Sequence, residues 1–235
     1  MAGSGAGSSV GVILPAAGAG RRMGGAPKQM RQLGDAPVWV QSARAFARHP
    51  DVDAVVVVAP EASVAEVRRQ LAAFGLAADV AAGGATRQAS VQNGLDALPA
   101  AVQVVLVHDA VRPFVGPALI GRVIAGVRQA GAAAPAVPVA DTLRRSAGDR
   151  FGPTVPRDGL WAMQTPQGAR RDLLALAYAR AGDAVATDEV GLLQRAGVEV
   201  ALVDGDARNI KLTRPEDWAT AQAVWPGWRE GPAME

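Results

Sequence analysis

Runs of apolar, mostly β-branched residues alternate along this chain with segments whose apolar residues recur at helical spacing. The apolar runs predict buried strands at 10–14, 53–60, 78–81, 102–109, 132–139 and 198–203. The spaced patterns predict helices within 37–50, 61–75, 86–99, 117–130, 170–180, 188–196 and 215–224. Because strands alternate with helices, the predicted fold is α/β, with a Rossmann-like, mostly parallel sheet sandwiched by helices.

The pattern fails between 140 and 159, where the sequence is charged and broken by glycine and proline. Short β-like pieces in this stretch predict a hairpin arm that projects from the sheet domain. No linker divides the remainder, so we expect a single domain at 10–225. The Gly/Ser/Ala-rich residues 1–9 predict a disordered lead, and residues 226–235 predict a frayed tail.

Two helix ends and one sheet edge are marked by local signals. Thr86 is the expected N-cap of the helix in 86–99, and Gly75 is expected to close the preceding helix. Right-handed crossovers bring the loops at the carboxyl ends of parallel strands to one edge of the sheet, where ligands bind. The segments after Leu14 and Ala81, and the residues that end VVLVHD, are therefore expected to meet at that edge.

Composition narrows the functional classes. The chain has no cysteine, which excludes disulfides and thiolate metal sites and fits a reducing, cytoplasmic compartment. It has two histidines, which argues against a structural zinc site, and no apolar run long enough for a membrane span. Its net charge is only +2 and its cations are spread out, so no nucleic-acid partner is expected, whereas a small polyanion at one focused site fits.

The segment VILPAAGAGRRMGGAPKQ at 12–29 follows the first strand and combines small residues with cations. It fails the dinucleotide fingerprint, since Met23 replaces the third glycine, and it fails the P-loop pattern, since Gln29 follows Lys28. Small residues let backbone N–H groups approach a phosphate closely, and Arg21, Arg22 and Lys28 would add charge there, as nucleotidyl transfer requires. A solvated, basic surface loop is the alternative interpretation.

Seven segments in order resemble the 2-C-methyl-D-erythritol 4-phosphate cytidylyltransferase family of the non-mevalonate isoprenoid pathway. They are PAAGAGRRMGGAPKQ, GGATRQASVQNGL, LVHDAVRPF, PVADTLRR, RDGLWAMQTPQ, ATDEVGLLQRAG and NIKLTRPEDW, and the resemblance covers roughly 10–223. It implies transfer of CMP from CTP to methylerythritol phosphate, giving 4-diphosphocytidyl-2-C-methyl-D-erythritol and pyrophosphate. It also implies Mg²⁺ as the cofactor, because hard phosphate and carboxylate oxygens suit that ion.

The resemblance also assigns expected roles to individual residues. Nucleotide-binding residues would be Ala16, Ala17, Gly18, Gly83, Gly84 and Ser90. Catalytic cations would be Arg22, Lys28, Arg157 and Lys211. The pocket for the alcohol phosphate would comprise Arg112, Thr142, Thr165 and Thr187. One departure concerns base selectivity, because Ala85 stands where many relatives have an acidic residue after the two glycines.

Asp109 and His108 end a predicted buried strand at the binding edge. A carboxylate in that position is a reasonable metal or substrate ligand, so Asp109 is the expected metal residue, with an N-cap for the following turn as the alternative. His108 is adjacent, but the attacking phosphate is already anionic and needs no general base. We therefore expect His108 to be structural.

In the family that the chain resembles, the arm interlocks two subunits and Arg157 reaches into the neighbouring site, which implies a homodimer. Without the resemblance, a solvated surface loop would be the favoured interpretation of 140–159. Three other functions remain open: a ribitol-5-phosphate cytidylyltransferase, a nucleotidyltransferase for another base, and a non-catalytic nucleotide-binding protein on the same fold. The joint presence of Arg22, Lys28, Asp109 and Lys211 argues against the last, because binding alone does not need cations gathered at the α-phosphate.

Overall fold

The computed structural model describes residues 8–18, 28–182 and 186–230, without the side chains of Lys28, Arg229 and Glu230. The strands of these residues are β1 (Val10–Pro15), β2 (Gln32–Leu33), β3 (Ala36–Pro37), β4 (Ala54–Ala59), β5 (Asp79–Ala82), β6 (Val104–Val107), β7 (Ala132–Pro138), β8 (Leu143–Ala147), β9 (Arg150–Val155), β10 (Trp161–Met163), β11 (Gln167–Arg170) and β12 (Ala201–Asp204). The α-helices are α1 (Val38–Ala47), α2 (Val64–Ala73), α3 (Arg87–Ala97), α4 (Pro117–Ala130), α5 (Arg171–Arg180), α6 (Glu189–Arg195) and α7 (Pro215–Glu230). Short 3-10 helices lie at Lys28–Met30 and Glu61–Ser63.

Eight strands form the central sheet, in the order β10-β7-β11-β6-β1-β4-β5, with β12 paired to β7. The four strands β6, β1, β4 and β5 are mutually parallel, and Ile13 in β1 lies opposite Val56 on one side and Val107 on the other. Strands that are buried on both faces read as continuous apolar runs, which is why these segments stood out in the sequence. The predicted α/β fold with a mostly parallel sheet is confirmed.

Helices cover both faces of this sheet. Along β1 the side chains of Val12 and Leu14 join one apolar cluster, which includes α1, α2 and α4, whereas Ile13 joins another, which includes α3, α5 and α6. This division follows from the period of two along a strand, which sends successive side chains to opposite faces. The two clusters therefore hold the parallel strands rigidly and fix the positions of their carboxyl ends.

The two predicted helix-end signals are confirmed. Thr86 Oγ1 accepts a hydrogen bond of 3.0 Å from the Ala89 N–H, as an N-cap does for α3. Gly75 follows α2 with a φ of 63°, in the left-handed region that glycine enters at low cost. The start of α6 differs by one residue from the prediction, because Asp188 is its N-cap and accepts from the Gly191 N–H at 3.0 Å.

Two strands near the carboxyl half of the sheet were not predicted. β11 lies between β6 and β7 and is antiparallel to both, while β10 pairs antiparallel with β7. These strands have three and four residues and lack the apolar runs of the central strands, so no periodicity marks them. The sequence pattern assigned no element to residues 160–169, and the antiparallel strands found there agree with a sheet that is mostly rather than wholly parallel.

The carboxyl-terminal helix is longer than predicted. α7 continues to Glu230, so residues 226–230 are helical and the prediction of a frayed tail there is wrong. The physical reason is a third apolar cluster in which Trp225 packs on Phe114, with ring centroids 5.6 Å apart. At the other end, residues 1–7 of the predicted lead lie outside the described residues, and the Ser9 carbonyl accepts from the Gln103 and Val104 N–H groups.

The predicted arm is a β-hairpin. Strands β8 and β9 pair antiparallel with each other, from Leu143 opposite Val155 to Ala147 opposite Arg150, and form a sheet of their own. Most of their side chains are exposed, and Phe151 near the tip is 87% exposed. The hairpin therefore stands apart from the packed core. Among the described helices, none is long and apolar enough to cross a membrane.

Candidate active site

A cavity of about 670 Å³ opens at the carboxyl ends of the central parallel strands. Segments that follow β1, β5 and β6 form its floor, and residues before α6 and α7 close its sides. Its lining consists of Pro15, Ala16, Ala17, Gly18, Gln29, Gly84, Ala85, Thr86, Arg87, Ser90, Asp109, Ala110, Val111, Thr187, Lys211 and Thr213. The cavity lies at the sheet edge where open α/β folds bind ligands, and it gathers eight of the predicted site residues.

The loop after β1 is anchored by a glutamine. The Gln29 side-chain amide is buried and donates at 2.9 Å to the carbonyl of Ala16 and at 2.9 Å to that of Gly18. The Ala16 N–H donates to the carbonyl of Val58 on β4 at 2.8 Å, which ties the start of the loop to the sheet. With these carbonyls occupied, the small residues Ala16, Ala17 and Gly18 present a fixed backbone surface to the cavity.

Two predicted catalytic cations belong to the same loop. Arg22 lies outside the described residues, and so does the side chain of Lys28. The backbone of Lys28 begins the 3-10 helix Lys28–Met30, directly before Gln29. The roles of both cations therefore stay predictions from the sequence.

The segment after β5 packs too closely for any side chain at its two glycines. A Cβ on Gly83 would lie 2.6 Å from the Ala17 Cβ, and one on Gly84 would lie 2.5 Å from the Ala89 Cβ. Ser90, which is buried on α3, accepts from the Gly84 N–H at 3.1 Å through its hydroxyl oxygen. These contacts bring the predicted nucleotide segment against the loop after β1, although Gly83 itself does not line the cavity.

Asp109 and Lys211 meet in the cavity although they are far apart in the sequence. Lys211 Nζ lies 2.8 Å from Asp109 Oδ2. Two hydrogen bonds hold the segment around Lys211 there. The Asn209 side-chain amide donates to the Thr165 carbonyl at 2.8 Å, and the Leu212 N–H donates to the Val111 carbonyl at 2.9 Å. The structure thus brings a predicted metal residue and a predicted catalytic cation into direct contact.

The electrostatics of Asp109 favour its ionised form. Burial alone would raise the pKa of this carboxyl, but the charge and hydrogen bond of Lys211, together with the charges of Arg87 and Arg112, hold that pKa below its usual value. Arg112 Nε lies 3.6 Å from the same Oδ2 atom. Asp109 is therefore a carboxylate at neutral pH, as a ligand for a metal ion must be.

His108 is buried beneath this carboxylate, and both of its ring nitrogens have hydrogen-bond partners within the protein. Thr165 Oγ1 accepts from the Asp109 N–H at 3.1 Å and lies 3.1 Å from His108 Nδ1, while His108 Nε2 lies 3.1 Å from the Arg112 carbonyl. The consistent assignment has the Thr165 hydroxyl donating to Nδ1 and Nε2–H donating to the carbonyl. Burial lowers the pKa of His108 to about 4, so the ring is neutral. These contacts support the expectation that His108 is structural.

The four residues predicted to bind the alcohol phosphate do not lie together in one pocket. Thr187 lines the cavity, whereas Thr165 is buried below it. Arg112 does not line the cavity either, and its guanidinium donates to the Asn209 carbonyl at 2.7 Å. Thr142 is exposed at the base of the arm. Of this group, only Thr187 faces the cavity in this structure, and the substrate roles of the other three stay predictions.

Arg157 is the fourth predicted catalytic cation, and the structure places it at the end of the arm. It is exposed and does not line the cavity, and its guanidinium donates to the Ala140 carbonyl of the same chain. Its predicted role needs a second subunit and is a prediction about the assembly. Within the described part of one chain, the cations that line the cavity are Arg87 and Lys211.

Sequence reasoning missed Arg87 and its partner. Arg87 lines the cavity and makes a bidentate ion pair with the buried carboxylate of Glu189. The two residues are 102 positions apart, and the sequence pattern around Glu189 indicates only a helix start. Gln29 and Thr213 were missed as well, although Gln29 stands next to Lys28 in a segment that had been singled out.

The site can be tested for its fit to a divalent metal ion. Among the lining residues Asp109 is the one carboxylate, and the described part of the chain has no cluster of three or more His, Asp or Glu side chains that could hold a metal. A dedicated protein cage is thus absent from the described residues. Mg²⁺ is commonly bound through one or two carboxylates plus substrate phosphates, and one ionised carboxylate in an open cavity fits that mode.

Comparison with known proteins gives one consistent family. The family model described as 2-C-methyl-D-erythritol 4-phosphate cytidylyltransferase matches residues 10–226. A curated protein of that name from Salinibacter ruber is 55% identical over 94% of this chain and 94% of its own length. A bifunctional enzyme IspD/IspF from Desulfotalea psychrophila is 44% identical over 90% of this chain, which spans 55% of that relative. The crystal structure of the cytidylyltransferase from Thermus thermophilus superimposes with a TM-score of 0.81 at 38% identity, covering 93% of this chain and 99% of that one.

Proposed function

The chain belongs to the 2-C-methyl-D-erythritol 4-phosphate cytidylyltransferase family, and from this premise we propose that it transfers CMP from CTP to methylerythritol phosphate. The products are 4-diphosphocytidyl-2-C-methyl-D-erythritol and pyrophosphate, and the reaction belongs to isoprenoid biosynthesis. The observation that carries this proposal is the contact between Asp109 and Lys211 opposite a loop of small residues. A cavity that only bound a nucleotide would not need a paired carboxylate and ammonium at its phosphate side.

The chain's own residues account for binding. Backbone groups of the Ala16–Gly18 loop and of Gly84, set by Gln29 and Ser90, hold the base, ribose and α-phosphate of CTP. Thr187 and Lys211 hold the phosphate of the acceptor alcohol on the opposite side of the cavity. An oxygen of that phosphate then lies in line with the α-phosphorus of CTP, and positioning supplies much of the acceleration.

In the chemical step, the acceptor's phosphate oxygen forms a bond to the α-phosphorus while the bond to the β-phosphate oxygen breaks. The electron pair of the broken bond leaves with pyrophosphate. The attacking oxygen is anionic at neutral pH, so the step needs no general base, which agrees with a neutral His108 whose two ring nitrogens are engaged. Lys211 and the predicted cations Arg22 and Lys28 stabilise the charge that spreads over the five-coordinate phosphorus.

Mg²⁺ is the proposed cofactor, with Asp109 as its protein ligand and substrate phosphates as its other ligands. When bound, the ion would neutralise part of the triphosphate charge and favour departure of pyrophosphate. Asp109 is kept ionised for this purpose by Lys211 and its neighbouring arginines. The proposed setting is the cytoplasm, which the absence of cysteine fits.

The experiment that tests this function is pyrophosphate release with Mg²⁺, with CTP, UTP, ATP and GTP each paired with methylerythritol phosphate and with ribitol 5-phosphate. Release is expected only with CTP and methylerythritol phosphate, which would also show that Ala85 is tolerated. We expect tolerance because the Gly84 N–H next to Ala85 donates to the Ser90 hydroxyl oxygen, so this segment is held without a side chain at position 85. Release with ribitol 5-phosphate instead would keep the mechanism and overturn the substrate.

The Gln29→Leu variant is expected to raise the KM for CTP about tenfold, with a smaller change in kcat. Leucine fills the same buried space but cannot donate to the Ala16 and Gly18 carbonyls, so the loop after β1 loses its anchor and two buried acceptors lose their partner. Steady-state kinetics and calorimetric titration with CTP give the two readings. The matched control is Gln41→Leu, which removes a buried amide that donates to the Leu33 carbonyl away from the cavity. Equal KM effects in both variants would contradict the anchoring role.

We further propose that the chain is a homodimer assembled through the arm. Four of the seven large apolar side chains that are exposed in the described residues fall between 151 and 163, namely Phe151, Leu160, Trp161 and Met163. Phe151 lies on the arm, and the other three lie directly after it, at or beside β10. Exposed apolar side chains that are concentrated in one part of a chain are typical of an interaction surface. It also fits the role predicted for Arg157, which would act in the partner's cavity.

The Phe151→Asp variant is therefore expected to sediment as a monomer at a concentration where the wild type is a dimer, because a carboxylate would be desolvated in the interface. Leu202→Asp is the matched control, since Leu202 is 50% exposed on β12 and outside the arm. Analytical ultracentrifugation checks both variants. A wild type that is monomeric at all concentrations, or a Phe151→Asp variant that remains a dimer, would overturn the arm-mediated assembly.

A further inference from the structure

Beside the cavity, the buried carboxylate of Glu189 forms an ion pair with Arg87, and the reaction described above gives this pair no role beyond the effect of the Arg87 charge on Asp109. Arg87 Nη1 lies 2.6 Å from Glu189 Oε1, and Nη2 lies 2.7 Å from Oε2, in a two-pronged arrangement. The Glu189 residue is 1% exposed, whereas Arg87 borders the cavity. A planar guanidinium and a carboxylate that meet in this way fix both distance and orientation between the elements that carry them.

Further contacts hold Glu189 in place. The Tyr178 hydroxyl donates to Glu189 Oε1 at 3.2 Å, and the Glu189 N–H donates to Gln167 Oε1 at 2.9 Å. Next to the ion pair, Gln88 Oε1 accepts from the Ala186 N–H at 3.4 Å, which is a second link between the same two segments. Glu189 is thus the centre of a network that spans α3, α5, β11 and α6: its carboxylate contacts Arg87 and Tyr178, and its backbone N–H contacts Gln167.

The two segments joined by this pair serve different parts of the proposed reaction. Arg87 begins α3, directly after the nucleotide segment that contains Gly84 and Thr86. Glu189 begins α6, two residues after Thr187, which lines the acceptor side. The nucleotide segment has local hydrogen bonds of its own. The residues after Thr187 are bonded to Gln167 of β11, and the links from the Thr187 segment to α3 include those to Arg87 and Gln88.

Stability alone is a weak reason for such a pair. Burying two charges costs desolvation energy, and well-packed apolar residues of similar size often stabilise a fold as well or better. An ion pair fixes geometry more strictly than apolar packing does. The pair lies between the two halves of the cavity. Its position therefore points to a requirement for a fixed distance between those halves rather than for stability.

We propose that Arg87 and Glu189 are positioning residues that set the distance between the nucleotide subsite and the acceptor-phosphate subsite. The inference rests on the proposed function. In-line attack depends on the separation of two reacting atoms, and a displacement on the order of 1 Å costs about a hundredfold in rate. A shift of the Thr187 segment would therefore slow the chemical step while the CTP side of the cavity stays intact.

The Glu189→Gln variant tests this inference, because it keeps the shape of the side chain and removes its charge. We expect kcat to fall by about tenfold to a hundredfold and the KM for methylerythritol phosphate to rise, while the calorimetric Kd for CTP stays within about threefold of the wild type. The matched control is Asp172→Asn, which removes one partner of the exposed ion pair with Arg170. That variant is expected to behave like the wild type in all three readings.

A second variant separates a positioning role of the ion pair from a stabilising one. Replacing both partners, as in Arg87→Met with Glu189→Met, leaves no unpaired buried charge and is expected to fold while kcat stays low. Wild-type kcat in this double variant would overturn the inference. So would a Glu189→Gln protein with a lower Tm but unchanged turnover per CTP-binding site. The wild type in the same assay reports on the proposed function alone, so the two hypotheses fail separately.

Discussion

Replacing Lys211 by methionine is expected to lower kcat by about 10²- to 10³-fold, while the Kd for CTP changes by less than about tenfold. Lys211 Nζ lies 2.8 Å from Asp109 Oδ2 and borders the cavity, so it is placed to meet charge that develops on the phosphates. Methionine keeps the apolar stem of the side chain and removes only the cation. Pyrophosphate release at saturating substrates gives kcat, and calorimetric titration with CTP gives the binding reading.

The same variant has a second consequence at Asp109. Lys211 is the strongest of the charges that oppose the effect of burial on this carboxyl, so its removal is expected to raise the Asp109 pKa. In a plot of kcat against pH, the fall on the acid side should then occur at higher pH than in the wild type. This shift tests the contact between Lys211 and Asp109, whereas the comparison of kcat with the Kd for CTP separates a catalytic role from a binding role.

Lys211→Arg is the matched control for charge. Arginine keeps the positive charge but spreads it over a planar fork with a different reach, so we expect a loss between that of methionine and none. The composition supports a specific need for an ammonium group. Of the 24 lysines and arginines in the chain, only Lys28 and Lys211 are lysines, and both are predicted catalytic cations. Equal losses of kcat and CTP affinity in Lys211→Met would contradict the catalytic assignment and favour a binding role.

The parts of this site that follow from one strand and its loop could be predicted from the sequence. Asp109 ends a continuous apolar run, and the small residues 16–18 follow another, so the rule for parallel sheets brings them to one edge. Gly83 and Gly84 were singled out from the family resemblance, and the packing around them shows why no side chain fits. Here local pattern and fold agree, so the placement of Asp109 and residues 16–18 at one edge of the sheet could be predicted.

The parts that depend on contacts between distant segments could not be predicted. The pairing of Arg87 with Glu189 joins positions 102 residues apart, and neither position carries a pattern that selects the other. The strand β11 is recognisable only because β6 and β7 supply hydrogen-bonding edges on both its sides. The last turns of α7 are held by Trp225 against Phe114, a tertiary contact that overrides a sequence rich in helix breakers.

His108 gives the second large expected effect, which concerns stability rather than rate. Burial lowers its pKa to about 4 in the folded state, against about 6.5 in an unfolded chain. Between these two values the unfolded state binds more protons than the folded state, so the free energy of unfolding falls as the pH drops through that window. For one site the fall between pH 7 and pH 4.5 amounts to about 2 to 3 kcal/mol.

Urea unfolding of the wild type and of His108→Gln at pH 7 and pH 4.5 checks this expectation. Glutamine can still accept from Thr165 and donate to the Arg112 carbonyl but does not titrate, so its stability should fall less on acidification. His49→Gln is the matched control, because it removes the chain's other histidine, which contacts Pro117 away from the cavity. Should the wild type and His108→Gln lose the same free energy between the two pH values, His108 would not be the titrating group. A smaller loss in His108→Gln alone would show that protonation of the buried His108 ring accounts for part of the acid sensitivity of the fold.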